Sequence, residues 1–251
     1  DMVTPGSRLG LILSHLLVDN KYPSVQHSRQ NCMVCEHSLT SRKLAVEDST
    51  STPKTQAERV AASDKALLEA AMTLILERGM DGTTLAAIGE RAGYSRGLAT
   101  YRFGSKAGLF QEVSSTIQRR WSEFLQAAVG DASGIDALCG AATALHEFVN
   151  RFPQEIRVLH ILYYGGAGPN SDVRGLAKQA FSRQVADAER WVEDGRAAGH
   201  IRADVDSRAV AAQYVAHIAG LTYIWLLNPG DINFTRIHED FIRTLRERLA
   251  A

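Results

Sequence analysis

From about residue 58 to the last residues, apolar side chains return every three or four positions and nowhere alternate in twos over the length of a strand. That periodicity predicts helix after helix and leaves no segment for a sheet. Leu67, Leu68, Ala71, Leu74 and Ile75 form one helix face, begun by Ser63 or Asp64 as N-cap and stopped at Gly79. Thr83 or Thr84 caps a short second helix with Leu85, Ile88 and Ala92 inward, and Gly93 ends it. Ser95 caps a third helix, and Ser105 a fourth that runs from about Lys106 to Ala128. Breaks at "GDASG", Phe152-Pro153, "GGAGPNS", "GHIRADVDS" and "NPGDIN" divide the remainder into helical segments near 134–151, 154–164, 172–198, 207–227 and 234–249. The expected fold class is all-α, with about nine helices and short connections.

Residues 1–57 differ. They are rich in Ser, Thr and charge without a sustained period, and read as an N-terminal extension, disordered or partly helical. Within it, "CMVCEH" places Cys32, Cys35 and His37 together, but no second pair completes four ligands, so no metal or cofactor is expected. Three cysteines in 251 residues make no disulfide scaffold and point to a reducing, cytoplasmic setting. "LGLILSHLLV" is too short to span a bilayer, and no other run approaches the roughly 18–20 apolar residues a span needs, so no membrane partner is expected. Catalytic signatures are likewise incomplete. His146-Glu147 lacks a second histidine one turn on, and "YYGGAGPN" follows a helical segment rather than a strand. Cys139 reads as a small core residue. No catalytic residue is assigned, and the chain is not expected to be an enzyme.

Residues 84–103 carry the most specific pattern: two short helices joined by the tight turn Gly93-Tyr94-Ser95, the layout of a helix-turn-helix. The formal net charge of the chain is zero, so attraction to nucleic acid must come from local clustering. Between Glu90 and Glu112 there is no acidic residue, whereas Arg91, Arg96, Arg102 and Lys106 all fall there. Ala99 and Phe103, four apart, face inward; Arg96, Thr100 and, on the flank, Tyr101 face elsewhere. Arg96 stands at the N-terminal end that enters a major groove first, suited to guanine O6 and N7. Thr100 suits a base edge or a thymine methyl, and Tyr101, Arg102 and Lys106 suit phosphate. Gly97 removes a side chain beside Arg96, so that backbone can approach DNA, at a cost of roughly 1 kcal/mol of helix stability.

The run "TTLAAIGERAGYSRGLATYRFGSKAGLF", preceded by "LLEAAMTLILERGMDG", resembles the N-terminal domain of the TetR family of transcriptional regulators over about 50 residues. The resemblance implies a helix-turn-helix DNA-binding domain at 58–106 and a helical ligand-binding and dimerisation domain at 107–251. By position it implies DNA contacts at Thr84, Arg96, Gly97, Tyr101, Arg102 and Lys106; Ser95, at the start of the third helix, is a further candidate contact. The family usually has Tyr where Thr100 stands; here the aromatic comes one place later, at Tyr101. The expected partners are double-stranded operator DNA, a second copy of the chain and a small-molecule effector. Trp121, Phe124, Phe148, His160, Tyr163, Tyr164, Phe181 and Trp191 offer the aromatic surface with sparse polar tips that an apolar ligand pocket needs. Ala212, Ala216 and Gly220 recur every four residues on the penultimate helix, a small-residue stripe expected to form the seam of a homodimer. The expected function is a sequence-specific repressor released by a small hydrophobic ligand. The rival is an all-α small-molecule-binding protein or enzyme whose helix-turn-helix front end no longer binds an operator.

Overall fold

The computed structural model describes residues 55–165 and 173–251. The expectations placed on the N-terminal extension, including Cys32, Cys35 and His37, lie outside the described residues. Among these there are nine helices: α1 Gln56–Arg78, α2 Leu85–Arg91, α3 Arg96–Phe103, α4 Lys106–Val129, α5 Gly134–Arg151, α6 Pro153–Gly165, α7 Arg174–Ala197, α8 Ser207–Leu227 and α9 Phe234–Leu249. The single β-type pairing described is an isolated bridge between Ile201 and Ala250, which ties the loop after α7 to the C-terminal end of α9.

Capping chemistry explains where these helices start. Thr84, Ser95, Ser105 and Asp206 each accept a hydrogen bond from a backbone N–H three residues on. Thr83, the other candidate for α2, is fully buried and donates its hydroxyl back to the Gly79 carbonyl at 2.8 Å. The first helix departs from expectation. It starts at Gln56, capped by Thr55 in a capping box: Thr55 accepts from the Glu58 N–H, and Glu58 accepts from the Thr55 N–H at 2.7 Å. Ser63 lies inside this helix and donates to the Val60 carbonyl at 2.8 Å. Asp64 is engaged elsewhere, by Arg102.

Packing arranges the helices in two storeys. Leu67, Leu74 and Ile75 of α1, Ile88 of α2, and Ala99 and Phe103 of α3 form one core with Leu109, Phe110, Val113 and Ile117 of α4. Val158 and Leu162 of α6 belong to the same cluster, so the apolar core continues across position 106/107 instead of stopping there. The second storey gathers Leu138, Cys139 and Ala142 of α5, Ala188 and Val192 of α7, Tyr214 and Val215 of α8, and Leu245 and Leu249 of α9. Tyr214 is buried and donates its hydroxyl to the Leu138 carbonyl at 2.8 Å. A third cluster centres on Phe148, with Phe152, Trp121, Phe124, Trp225 and Phe234 around it.

Helix α8 corrects one expectation. By length and composition its 21 residues suffice to cross a membrane. Yet Val210, Ala211, Tyr214, Val215, Leu221 and Leu226 are buried inside the bundle, so packing accounts for much of its apolar character. Of its other apolar side chains, Ile224 and Leu227 are more than half exposed.

Candidate nucleic-acid interface and internal cavity

The helix-turn-helix is held by direct backbone contact. Gly93 turns the chain with φ of 75°, and the Tyr94 N–H donates to the Gly89 carbonyl at 2.8 Å. At Gly89 itself a Cβ would stand 2.7 Å from the Ser95 carbonyl oxygen, closer than packed atoms approach. Only glycine lets α2 meet the start of α3 this closely. Gly89 escaped the sequence reading because it sits inside a helix, where glycine signals weakness more often than contact. Gly89→Val should therefore push α3 out of place. The expected outcome is loss of about 1–3 kcal/mol in urea unfolding, as for an overpacked core site, together with loss of DNA binding in a gel shift.

With Ala99 and Phe103 buried beneath it, α3 turns Arg96, Gly97, Thr100 and Tyr101 outward, Tyr101 being 88% exposed. A Cβ on Gly97 would meet only the Ser95 hydroxyl, at 3.6 Å, so nothing inside the chain demands glycine there. Arg96 makes no ion pair with any described residue. The other cations are placed differently. Arg91 holds the Glu77 carboxylate through two hydrogen bonds of 3.0 and 2.7 Å, which keep that carboxyl below its usual range. Arg102, expected on phosphate, is drawn inward. Its guanidinium lies 2.9 Å from Asp64 of α1 and 3.1 Å from Glu112 of α4, bracing both helices against α3. Lys106 keeps its charge without a carboxylate: its ammonium donates to the Asp81 carbonyl at 3.2 Å and lies 5.8 Å above the Phe110 ring. Thr84 and Ser95 are exposed at the N-termini of α2 and α3. The region is thus less basic than four cations in the sequence suggest, and Arg96 and Lys106 are its two unneutralised ones.

Beneath this head lies a cavity of about 270 Å³ enclosed by α4 to α8. Trp121, Phe148, His160, Tyr163, Tyr164, Phe181 and Trp191 line it. Phe124 does not; it packs edge-on against Phe148 at 5.6 Å, in the third cluster. The sequence reading missed the polar part of the wall, including Gln118, Arg183 and Thr222. Gln118 of α4 donates to the Ser114 hydroxyl at 2.7 Å and to the Tyr163 hydroxyl of α6 at 2.8 Å, while Arg183 of α7 donates to its amide oxygen. His160 is bonded through Nδ1 to the Ile156 carbonyl at 2.8 Å, and its burial favours the neutral ring. Thr222 is 3% exposed, and its hydroxyl has no hydrogen-bond partner among the described residues. Its only sequence signal is a lone hydroxyl in the apolar run "GLTYIW".

On the outer side of α8, Ala212 and Ala216 are exposed, and a Cβ on Gly220 would meet nothing within 4 Å. The stripe is not required by packing within the chain, and Ile224 and Leu227 extend its apolar character. Among the described residues no group of three His, Cys, Asp or Glu side chains is arranged to hold a metal ion.

A family model for bacterial regulatory proteins of the tetR family matches residues 67–113, which span most of α1 to the first third of α4. The chain is 24% identical to the HTH-type transcriptional regulator TtgR of Pseudomonas putida over 184 residues, covering 71% of this chain and 87% of that protein. It is 30% identical to the HTH-type transcriptional regulator RutR of Escherichia coli O157:H7 over 140 residues, 55% of this chain and 66% of that one. Among solved structures it is similar to a SmeT–triclosan complex, with a TM-score of 0.66 at 20% identity over 76% of this chain and 92% of that chain. SmeT is the repressor of a Stenotrophomonas maltophilia multidrug efflux pump.

Proposed function

We propose a mechanism for a chain that belongs to the TetR family of transcriptional regulators: it binds operator DNA as a homodimer and is released when a small apolar molecule fills the cavity. It is a DNA-binding regulator, read here as a cytoplasmic repressor and not as an enzyme. The observation that carries this reading is α4. This helix of 24 residues, about 36 Å long, begins at Lys106 beside the recognition helix and places Gln118 and Trp121 in the cavity wall. Helix α6 offers a second link, since Leu162 packs in the head core while His160 and Tyr163 face the cavity. A ligand that prefers one setting of α4 and α6 moves the two recognition helices of a dimer apart or together. Operator affinity then changes by the ligand's differential affinity for the two settings. That SmeT, similar in fold, forms a complex with triclosan supports an apolar effector.

In this reading α3 enters the major groove with Arg96 and Thr100 on base edges. Gly97 lets its backbone come close, and Tyr101, Thr84, Ser95 and Lys106 hold phosphates. Arg102 positions α3 from behind. The α8 stripe of Ala212, Ala216 and Gly220, with Ile224 and Leu227, forms the two-fold seam. Two half-sites then lie about 34 Å apart or a multiple of that.

Gel-shift titration on DNA from upstream of the protein's own gene tests the reading. Arg96→Ala should cost about 1–3 kcal/mol of discrimination between that DNA and a scrambled duplex. Lys106→Ala should weaken binding to both and reduce the slope of log affinity against log salt by about one. Equal affinity of the wild type for both duplexes would instead favour a front end that does not read DNA.

A further inference from the structure

Three features of the cavity wall narrow the kind of molecule it takes. The first is the fixed tautomer of His160. A carbonyl oxygen only accepts, so the 2.8 Å contact to Ile156 makes Nδ1 the donor. Nε2 then carries the lone pair, and it bonds to no described residue. Burial keeps the ring neutral, so the lone pair persists at neutral pH.

The second feature is Thr222, which brings a buried hydroxyl without a partner to the same cavity from α8. Buried polar groups in native structures nearly always find a partner, and a wall otherwise rich in aromatic rings offers none. The third is charge. The charged residues on the wall are Arg183 and Asp187. Arg183 is already bonded to the Gln118 amide, and Asp187 is paired with Arg190 at 3.1 Å. A cationic ligand would find the wall carboxylate already paired, whereas Arg183, bonded only to a neutral amide oxygen, keeps its positive charge uncompensated.

Resting on the cavity as the effector site proposed above, we infer that it selects an aromatic molecule that carries no positive charge and bears a hydroxyl or N–H donor. The ring lies among Trp121, Phe148, Phe181 and Trp191, and the donor bonds to Nε2 of His160, with the Thr222 hydroxyl as a second polar contact. The two polar groups enter from different helices, α6 and α8, so one ligand spanning them draws on both.

Isothermal titration of the full chain at pH 7.5 with 2-naphthol, 2-methoxynaphthalene and 2-naphthylmethylamine, a cation at this pH, tests this. The three share a ring system and differ in offering a neutral donor, no donor and a positive charge. 2-Naphthol should bind at least tenfold more tightly than either of the others. His160→Phe should erase its advantage over the methyl ether while leaving ether binding within about twofold, and Thr222→Val should reduce the advantage without erasing it. In protein labelled with ¹⁵N-histidine, 2-naphthol should move the His160 Nε2 resonance upfield and 2-methoxynaphthalene should not, a readout that needs no variant to fold. Equal or tighter binding of 2-naphthylmethylamine, an advantage that survives His160→Phe, or an unmoved Nε2 resonance at saturation would overturn the inference. A gel shift with the same compounds separates the two readings. Tight 2-naphthol binding without DNA release would refute the release mechanism and leave the ligand class standing. Release by 2-naphthylmethylamine alone would do the reverse.

Discussion

Phe148→Ala should cost about 3–5 kcal/mol in chemical denaturation, the range for deleting a fully buried phenyl group. Phe148 has no solvent exposure and stands where three aromatic rings converge. Trp121 and Phe124 of α4 meet it edge-on at 5.4 and 5.6 Å, and Phe152 lies 4.9 Å away. Its ring also walls the cavity, so removal joins new empty volume to space already there and the neighbours have little to collapse onto. The loss should appear as a lower denaturant midpoint with an unchanged slope. A loss under about 1 kcal/mol would mean that the two rings of α4 close over the gap, and α4 would then be a softer element than its packing indicates.

Acidification below pH 6.5 should destabilise the protein, and His238 should account for much of the effect. His238 of α9 is buried, with Nε2 unpartnered, and its ring lies 5.1 Å from that of His146. Burial, then the charges of His146 and His217, lowers its pKa from 6.5 to about 4. Above pH 6.5 the ring is neutral in both the folded and the unfolded chain, and the stability is complete. As pH falls, the unfolded chain takes up a proton that the folded chain refuses, so stability declines until pH reaches about 4. A shift of that size is worth about 3 kcal/mol in total. His160 and His217 are displaced in the same direction, also by burial, and add to the slope. Urea unfolding at pH 7 and pH 4.5 measures the decline. His238→Phe should flatten it, because a phenyl ring of similar shape takes up no proton in either state. An unchanged difference between the two pH values in that variant would place the acid sensitivity elsewhere.

What the sequence made legible follows from the physics of each signal. Long helices announce themselves by apolar period, so α4, α5, α8 and α9 were placed within a residue or two of where they stand. The start of α1 was not. Its first seven residues are exposed and carry no apolar face, and the capping box at Thr55 and Glu58 lies next to a polar stretch that reads as linker. That misplacement propagated. Asp64, read as an N-cap, is with Glu112 a carboxylate partner of Arg102, so the misplaced helix start also hid the pairing of a cation read as free for phosphate. Long-range ion pairs leave no mark in local composition, and a run of cations looks freest where its partners are distant in sequence. The cavity shows a parallel division. Aromatic residues were found because they are rare and large, with Phe124 alone of the eight outside the cavity wall. The hydroxyl of Thr222 and the amide of Gln118 were missed because a single polar side chain on a helix is, by itself, ordinary.

The Gln118 amide has one more consequence. A primary amide has two hydrogens to give, and both are committed, one to Ser114 and one to Tyr163; its oxygen accepts from Arg183. Both hydrogens are taken, so a guest can accept a bond from this amide only by evicting Ser114 or Tyr163, and a guest that takes the place of Arg183 on its oxygen evicts that residue. Tyr163 and Arg183 belong to different helices from Gln118, and evicting one or the other loosens a different pair of helices. Two guests of equal affinity that displace different residents would leave the bundle in different states. Tightness of binding and size of response would then be separately adjustable, with the choice made at a single side chain.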